Sequence, residues 1–176
     1  VSPTFQELGI KGVWLARAVI HSDERGWLSE VFRVDWFERK PLITGQPMMG
    51  YVSVTLPGVM RGPHEHREQT DLFVFLGPAD FRVVLWDNRS NSWSAGKRLE
   101  LKLGGGNPEL LIVPPGVVHA YQNIGDVPGW VLNFPDRLYR GWGGSSEADE
   151  IRYEEQADAQ FRLEKDVNHK DLDVEL

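Results

Sequence analysis

Short apolar runs broken by turn residues set the rhythm of this chain. KRLELKL, from Lys97 to Leu103, alternates charged residues with Leu99, Leu101 and Leu103, the period of two that a half-buried strand requires. Continuous apolar runs occupy Gly12 to Ile20, Tyr51 to Leu56, Leu72 to Leu76, Phe81 to Trp86, Leu110 to Val113 and Gly129 to Phe134, each bounded by Gly, Pro, Asp or Asn. This spacing predicts an all-β sandwich or barrel of short strands. Helical patterning is scarce: Val34 to Lys40 predicts a turn or two, and the acidic stretch Ser145 to Phe161 a short helix. With no linker and no internal repeat, the chain reads as a single domain over 1–176, its core at about 12–155, with a charged tail over 162–176 read as a solvated or frayed end.

Composition narrows the possible partners. The 176 residues are 41% hydrophobic and 26% charged, enough for one compact core. A net charge of -7 argues against nucleic acid and against a basic membrane-binding face, so an anionic ligand needs a local basic patch. There is no cysteine, which removes disulfides, thiolate catalysis and thiolate metal sites. No run has the length of a membrane span and the first residues lack a signal-peptide pattern, so the expected location is cytoplasmic.

Two strings carry the chemistry: RGPHEH, from Arg61 to His66, and PPGVVHAYQN, from Pro114 to Asn123. On an extended strand His64 and His66 point to one face, and His119 follows a Pro-Pro-Gly turn from which it can join them. Converging imidazoles imply acid/base chemistry or a metal. Arg61 is hard to explain as core, because a buried unpaired guanidinium is costly. It differs from His64 by an odd number of residues, so both face one side only if Gly62 and Pro63 introduce a bulge. His21 and His169, outside both strings, read as structural.

The spacing from Gly58 through His64, His66 and Asp71 to Gly77, and from Pro114 through Gly116 and His119 to Asn123, resembles the two cupin motifs, with Asp71 where Glu is usual. That resemblance implies a cupin jelly roll with a few short helices. A narrower one follows. DERGWLSEVF (Asp23 to Phe32), GVMRGPH (Gly58 to His64) and VPPGVVHAY (Val113 to Tyr121) are similar to strings of the dTDP-4-dehydrorhamnose 3,5-epimerases, with order and spacing agreeing from about Gly12 to Glu155. The resemblance implies an isomerase of nucleotide-linked 4-keto-6-deoxy sugars, dTDP-type, that needs no cofactor and acts as a homodimer. It implies His64 as the base that removes a proton beside the ketone, with Glu155, or Glu154, as its orienting carboxylate. His119, Arg61, His66 and Tyr139 would line the sugar pocket, while Arg25, Glu30 and Trp27 would contact the nucleotide.

Departures from the family pattern matter as much. The general-acid tyrosine falls at Asn133, with Leu132 adjacent, and the lysine that follows RGxH falls at Thr70 or Asp71. These losses leave single-site epimerisation, a 3,4-keto-isomerisation or a non-catalytic sugar-nucleotide-binding protein open beside the double reaction. His66 stands where the family has Gln, which raises an alternative: His64, His66 and His119, with Asp71 or Glu68, holding a divalent first-row metal. Taken alone, Asp71 at a strand start reads as a turn or surface residue, and Glu154 and Glu155 as solvated charge.

Overall fold

A computed structural model describes residues 2–38 and 45–164. Among these residues the apolar runs become β1 (Gln6–Glu7), β2 (Trp14–Arg17), β3 (Ile20–Asp23), β4 (Gly26–Ser29), β5 (Tyr51–Thr55), β6 (Met60–Glu65) and β7 (Asp71–Gly77). They continue as β8 (Asp80–Asp87), β9 (Arg98–Gly104), β10 (Glu109–Val113), β11 (Val117–Asn123), β12 (Gly129–Asn133) and β13 (Ile151–Arg152). A six-stranded sheet in the order β1-β2-β10-β7-β12-β5 faces a five-stranded sheet in the order β13-β6-β11-β8-β9, and β3 with β4 forms a separate hairpin. Every pairing is antiparallel, so the expected all-β jelly roll is the fold.

The runs are continuous rather than alternating because several strands are buried on both faces. In β10, Leu111 and Val113 point into the core between the sheets, where they join Phe73, Phe75, Val83, Leu85 and Tyr121. Their neighbours Leu110 and Ile112 point outward, under Trp36 and Phe37 of a one-turn helix, α1 (Asp35–Glu38). At β7 and β10 the six-stranded sheet therefore has two dry faces, and these strands need no polar side.

Three expectations change. The run Gly12 to Ile20 divides between β2 and β3, because the chain leaves the sheet to build the hairpin. Over Ser145 to Phe161 there is no helix; β13 and turns occupy it, and the helical expectation from Val34 to Lys40 reduces to α1, with residues 39–44 outside those described. Weak helix propensity at 145–161 yields to pairing, since Ile151 and Arg152 add to the edge of β6 and the Tyr153 N–H donates to the Pro63 carbonyl at 2.9 Å. Phe161 and Leu163 are buried, Leu163 against Val84 and Ala120, so the tail is anchored where it is described. His169 and the rest of 165–176 lie outside the described residues. Among the described residues no helix is long and apolar enough to cross a membrane.

Leu111 has no exposed surface, and truncation there leaves a hole between the sheets. Leu111→Ala is expected to lower unfolding free energy by about 2–5 kcal/mol, read from urea denaturation with an unchanged slope.

Candidate active site

A cavity of about 680 Å³ opens between the sheets at one end of the barrel, with Tyr51 and Phe73 on the six-stranded wall and Arg61, His64 and Tyr121 on the five-stranded wall. Its floor depends on the register of β6 against β11. His119 pairs with His64, but Tyr121 pairs with Arg61, so β6 spends one more residue than β11 over the same span. That is the bulge which the odd spacing of Arg61 and His64 requires, and it brings both to the cavity. Gly62 makes it, at φ 79, and a Cβ there would stand 2.6 Å from the His119 carbonyl oxygen.

The three histidines meet beneath this bulge. His64 and His119 stack edge to face with ring centroids 4.4 Å apart, and one ring nitrogen from each of His64, His66 and His119 lies within 4.8 Å of the others. His119 Nδ1 is 3.1 Å from the Val117 carbonyl, and His66 Nδ1 meets the Asp149 carbonyl. A carbonyl only accepts, so both rings carry hydrogen on Nδ1 and turn Nε2 inward. Those Nε2 atoms face Asp71 Oδ2, at 3.2 Å from His66 and 3.6 Å from His119. Asp71 is fully buried, contrary to a turn or surface role, and its Oδ1 accepts from Asn133 and Gln69. Its Oδ2 and His119 Nε2 have no aligned hydrogen bond.

Burial and the two neighbouring imidazoles pull His64 down to about 2, so it is neutral at physiological pH. Burial likewise depresses His119. Burial opposes charge on His66 and Asp71 as well, but each supports the other: Asp71 lifts His66 to about 9, and His66 holds Asp71 at about 2.

Of the two carboxylates expected beside His64, Glu154 is there and Glu155 is not, and Glu150 joins it. Glu155 is largely exposed and pairs with Arg152 at 3.2 Å, outside the cavity wall. Glu154 and Glu150 line the cavity instead, with Glu154 3.9 Å from His64 Nδ1 and Glu150 4.0 Å from Nε2. Sequence reasoning missed Glu150 and Asp149. The signal for both was a short strand, IR, whose pairing with β6 carries the preceding acids over the histidines. Asp149 holds that crossing together by accepting the backbone N–H groups of Arg67, Glu68 and Gln69 at 2.9–3.0 Å. Glu68 itself pairs with Arg137 at the surface rather than joining the histidines.

Arg61 and Tyr139 line the cavity as expected. Arg61 bonds Thr55 Oγ1 and the Val54 carbonyl, and among the described residues no carboxylate pairs with it. Arg25, Trp27 and Glu30 lie elsewhere: Arg25 pairs with Asp23, Trp27 is exposed on β4, and Glu30 pairs with Arg33. None of the three lines the cavity. Asn133 donates to both Asp71 and Tyr51 Oη, the latter at 2.9 Å, and burial pushes the Tyr51 phenol up to about 12.

A double-sheet barrel with an imidazole-lined cavity at one mouth defines a cupin-type small-molecule enzyme. The chain belongs to the dTDP-4-dehydrorhamnose 3,5-epimerase family, whose sequence pattern matches residues 7–173. It is 36% identical over 121 residues to the probable low-salt glycan biosynthesis epimerase Agl13 of Haloferax volcanii, covering 68% of this chain and 74% of that one. It is also 35% identical over 130 residues to the spore coat polysaccharide biosynthesis protein SpsL of Bacillus subtilis, covering 74% and 82%. The dTDP sugar isomerase of Desulfovibrio desulfuricans G20 superposes with a TM-score of 0.73 at 26% identity, over 89% of this chain and 94% of that one.

Asp149 generates a pH-dependent prediction. Burial opposes its charge, but the three N–H groups hold its carboxyl below the ordinary value. The stability it confers is therefore complete above the unfolded value of about 3.9 and is lost as pH falls through the lower folded one. Asp149→Ala is expected to cost about 1–3 kcal/mol at neutral pH in urea unfolding, with the difference from wild type shrinking below pH ~4.

Proposed function

We infer that this protein removes a proton next to the ketone of a dTDP-linked 4-keto-6-deoxy sugar and returns it with altered stereochemistry, His64 acting as the base. The observation that carries this reading is the cavity-facing imidazole of His64, set between Glu150 and Glu154 in the cavity that Arg61 also lines. Unlike His66 and His119, His64 ties neither ring nitrogen to a main-chain carbonyl among the described residues, so a lone pair is free for substrate. The flanking carboxylates act against the burial and the neighbouring imidazoles that disfavour the imidazolium when it forms. A proton beside a ketone is too weakly acidic for water to remove quickly, so a positioned base is worth about 10²–10⁴ in rate. The relatives support the substrate class: one is named an epimerase of glycan biosynthesis and another a dTDP sugar isomerase. In an acidic protein, Arg61 is the cavity cation that no carboxylate pairs with among the described residues, as a pyrophosphate contact requires; Arg152 is taken up by Glu150 and Glu155.

The other half of an inversion needs an acid on the opposite face. Tyr51 lies on the six-stranded wall, across from His64 on the five-stranded one. Its oxygen accepts from Asn133, which leaves its own hydrogen to point into the cavity. Tyr51 thus supplies, from the neighbouring strand, the phenol that position 133 lacks; Tyr51 and Asn133 are direct partners across β5 and β12.

A homodimer fits the uncovered part of the six-stranded sheet. β5 is its edge, and Val52, Val54, Leu56 and Trp130 are exposed there. Arg25, Trp27 and Glu30 keep a nucleotide-contacting role only if the β3–β4 hairpin of one copy reaches the cavity of another.

With a dTDP-4-keto-6-deoxyhexose as substrate and product separated by chromatography, His64→Asn is expected to lose epimer formation by about 10²-fold or more. Turnover unchanged by that substitution contradicts the reading. Tyr51→Phe is expected to slow epimer formation by about 10-fold or more while proton removal continues. A variant with normal epimer formation removes Tyr51 as the acid.

A further inference from the structure

We propose that the Tyr121 hydroxyl is a catalytic hydrogen-bond donor to the ketone oxygen of the sugar, holding the negative charge that gathers there when His64 removes the neighbouring proton. The inference deepens the epimerase reading and rests on it. As the C–H bond breaks, its electron pair forms a second bond between the two carbons and the pair of the C=O double bond moves onto oxygen. That oxygen needs a donor as much as the carbon needs a base. Thr70 and Asp71 stand where a lysine would follow RGxH, so no cation from that string answers the charge, and Arg61 serves the pyrophosphate.

The ring and the oxygen of Tyr121 are held separately. The ring packs edge to face against Phe73, Phe75 and Phe81, with centroids 5.6–6.2 Å apart, which fixes the direction of its hydroxyl. That hydroxyl reaches the cavity wall opposite β5, where Tyr51, Ser53 and Thr55 alternate with the exposed Val52 and Val54. Ser53 Oγ lies 3.0 Å from Tyr121 Oη, nearer than its other acceptor, the Val131 carbonyl, at 3.4 Å. Thr55 bonds the same phenol, and because Thr55 Oγ1 accepts from Arg61 Nε at 3.0 Å, its own hydrogen is left for Tyr121. With two hydroxyls donating to it, Tyr121 Oη keeps its own hydrogen for the cavity. Burial pushes the phenol up, so it remains a donor at neutral pH.

Its place along the wall fits the reaction. Tyr121 and His119 are two residues apart on β11, about 7 Å along the strand, and His119 pairs with His64. The donor is therefore one step from the base on the same sheet. A base about 3 Å from the reacting carbon, a ketone oxygen about 2.4 Å beyond it and a donor about 3 Å further span a similar length. Tyr51 stands on the other sheet, so the two phenols divide the work: Tyr121 holds the oxygen while Tyr51 returns a proton to the far face.

The test follows loss of the sugar hydrogen to D2O across a range of concentrations of a dTDP-4-keto-6-deoxyhexose. Tyr121→Phe keeps the packed ring and, folded by circular dichroism, is expected to lower the maximal exchange rate about 10²-fold with KM changed less than about 3-fold. Ser53→Ala breaks the same bond between the sheets but leaves the phenol its hydrogen, so its loss is expected to be less than about 10-fold. A second measurement keeps the hydroxyl: 3,5-difluorotyrosine at position 121 ionises at lower pH, and the alkaline loss of exchange is expected to move to lower pH with it. Wild-type maximal exchange in Tyr121→Phe, equal losses in Tyr121→Phe and Ser53→Ala, or an unmoved alkaline limb overturns Tyr121 as the donor and leaves the epimerase reading standing. Wild-type protein that binds the nucleotide sugar without exchanging its hydrogen overturns both.

Discussion

The register of β6 against β11 is the constraint from which the rest follows. With regular pairing, Arg61 and His64 would face opposite sides of the sheet, and the cavity would keep one of them and lose the other. One additional residue in β6, accommodated by Gly62 at φ 79, places both on the same wall. No other residue type serves there, because a side chain would meet the His119 carbonyl at 2.6 Å. The glycine is therefore a condition for the histidine cluster, since its close approach lets His64 on β6 stand opposite His119 on β11.

A second level of organisation is electrostatic. Asp71 begins β7 in the opposite sheet, yet its carboxylate reaches across the core edge to His66 and His119 while Asn133 and Gln69 satisfy its other oxygen. A buried charge persists only when its surroundings compensate it. Asp71 thus couples the sheets at the point where they open into the cavity. Asn133 extends the coupling to Tyr51, and Gln69 bonds both Asp71 Oδ1 and His66 Nε2, so His66 and the phenol on the far wall belong to one chain of hydrogen bonds. The proposed base and the proposed acid thus stand on separate sheets, from which they would meet opposite faces of a ligand.

Much of this was legible in the sequence. The apolar runs at Leu72 to Leu76, Phe81 to Trp86 and Leu110 to Val113 are strands because nothing else of that length buries so fully, and the odd spacing of Arg61 and His64 required the bulge at Gly62. The acidic stretch was not legible. Its local composition suits a solvated helix, but Ile151 and Arg152 pair with the edge of β6, and that long-range contact brings Glu150, and Glu154 of the two acids expected, to His64 and leaves Glu155 outside the cavity. Asp71 was misjudged for a related reason: a strand-start aspartate looks like turn chemistry until the opposite sheet shows what it faces. Arg25, Trp27 and Glu30 carry a family string that no contact within one copy explains.

The account rests on a carbon acid losing its proton to His64 inside this cavity, and proton NMR in D2O observes that step itself. Wild-type protein incubated with a dTDP-4-keto-6-deoxyhexose is predicted to wash out the hydrogen at C3 or C5 of the sugar, much faster than buffer alone, with solvent deuterium taking its place. Both resonances persisting at the buffer rate, while the protein demonstrably binds the nucleotide sugar, would contradict the account and leave a binding protein on an epimerase fold.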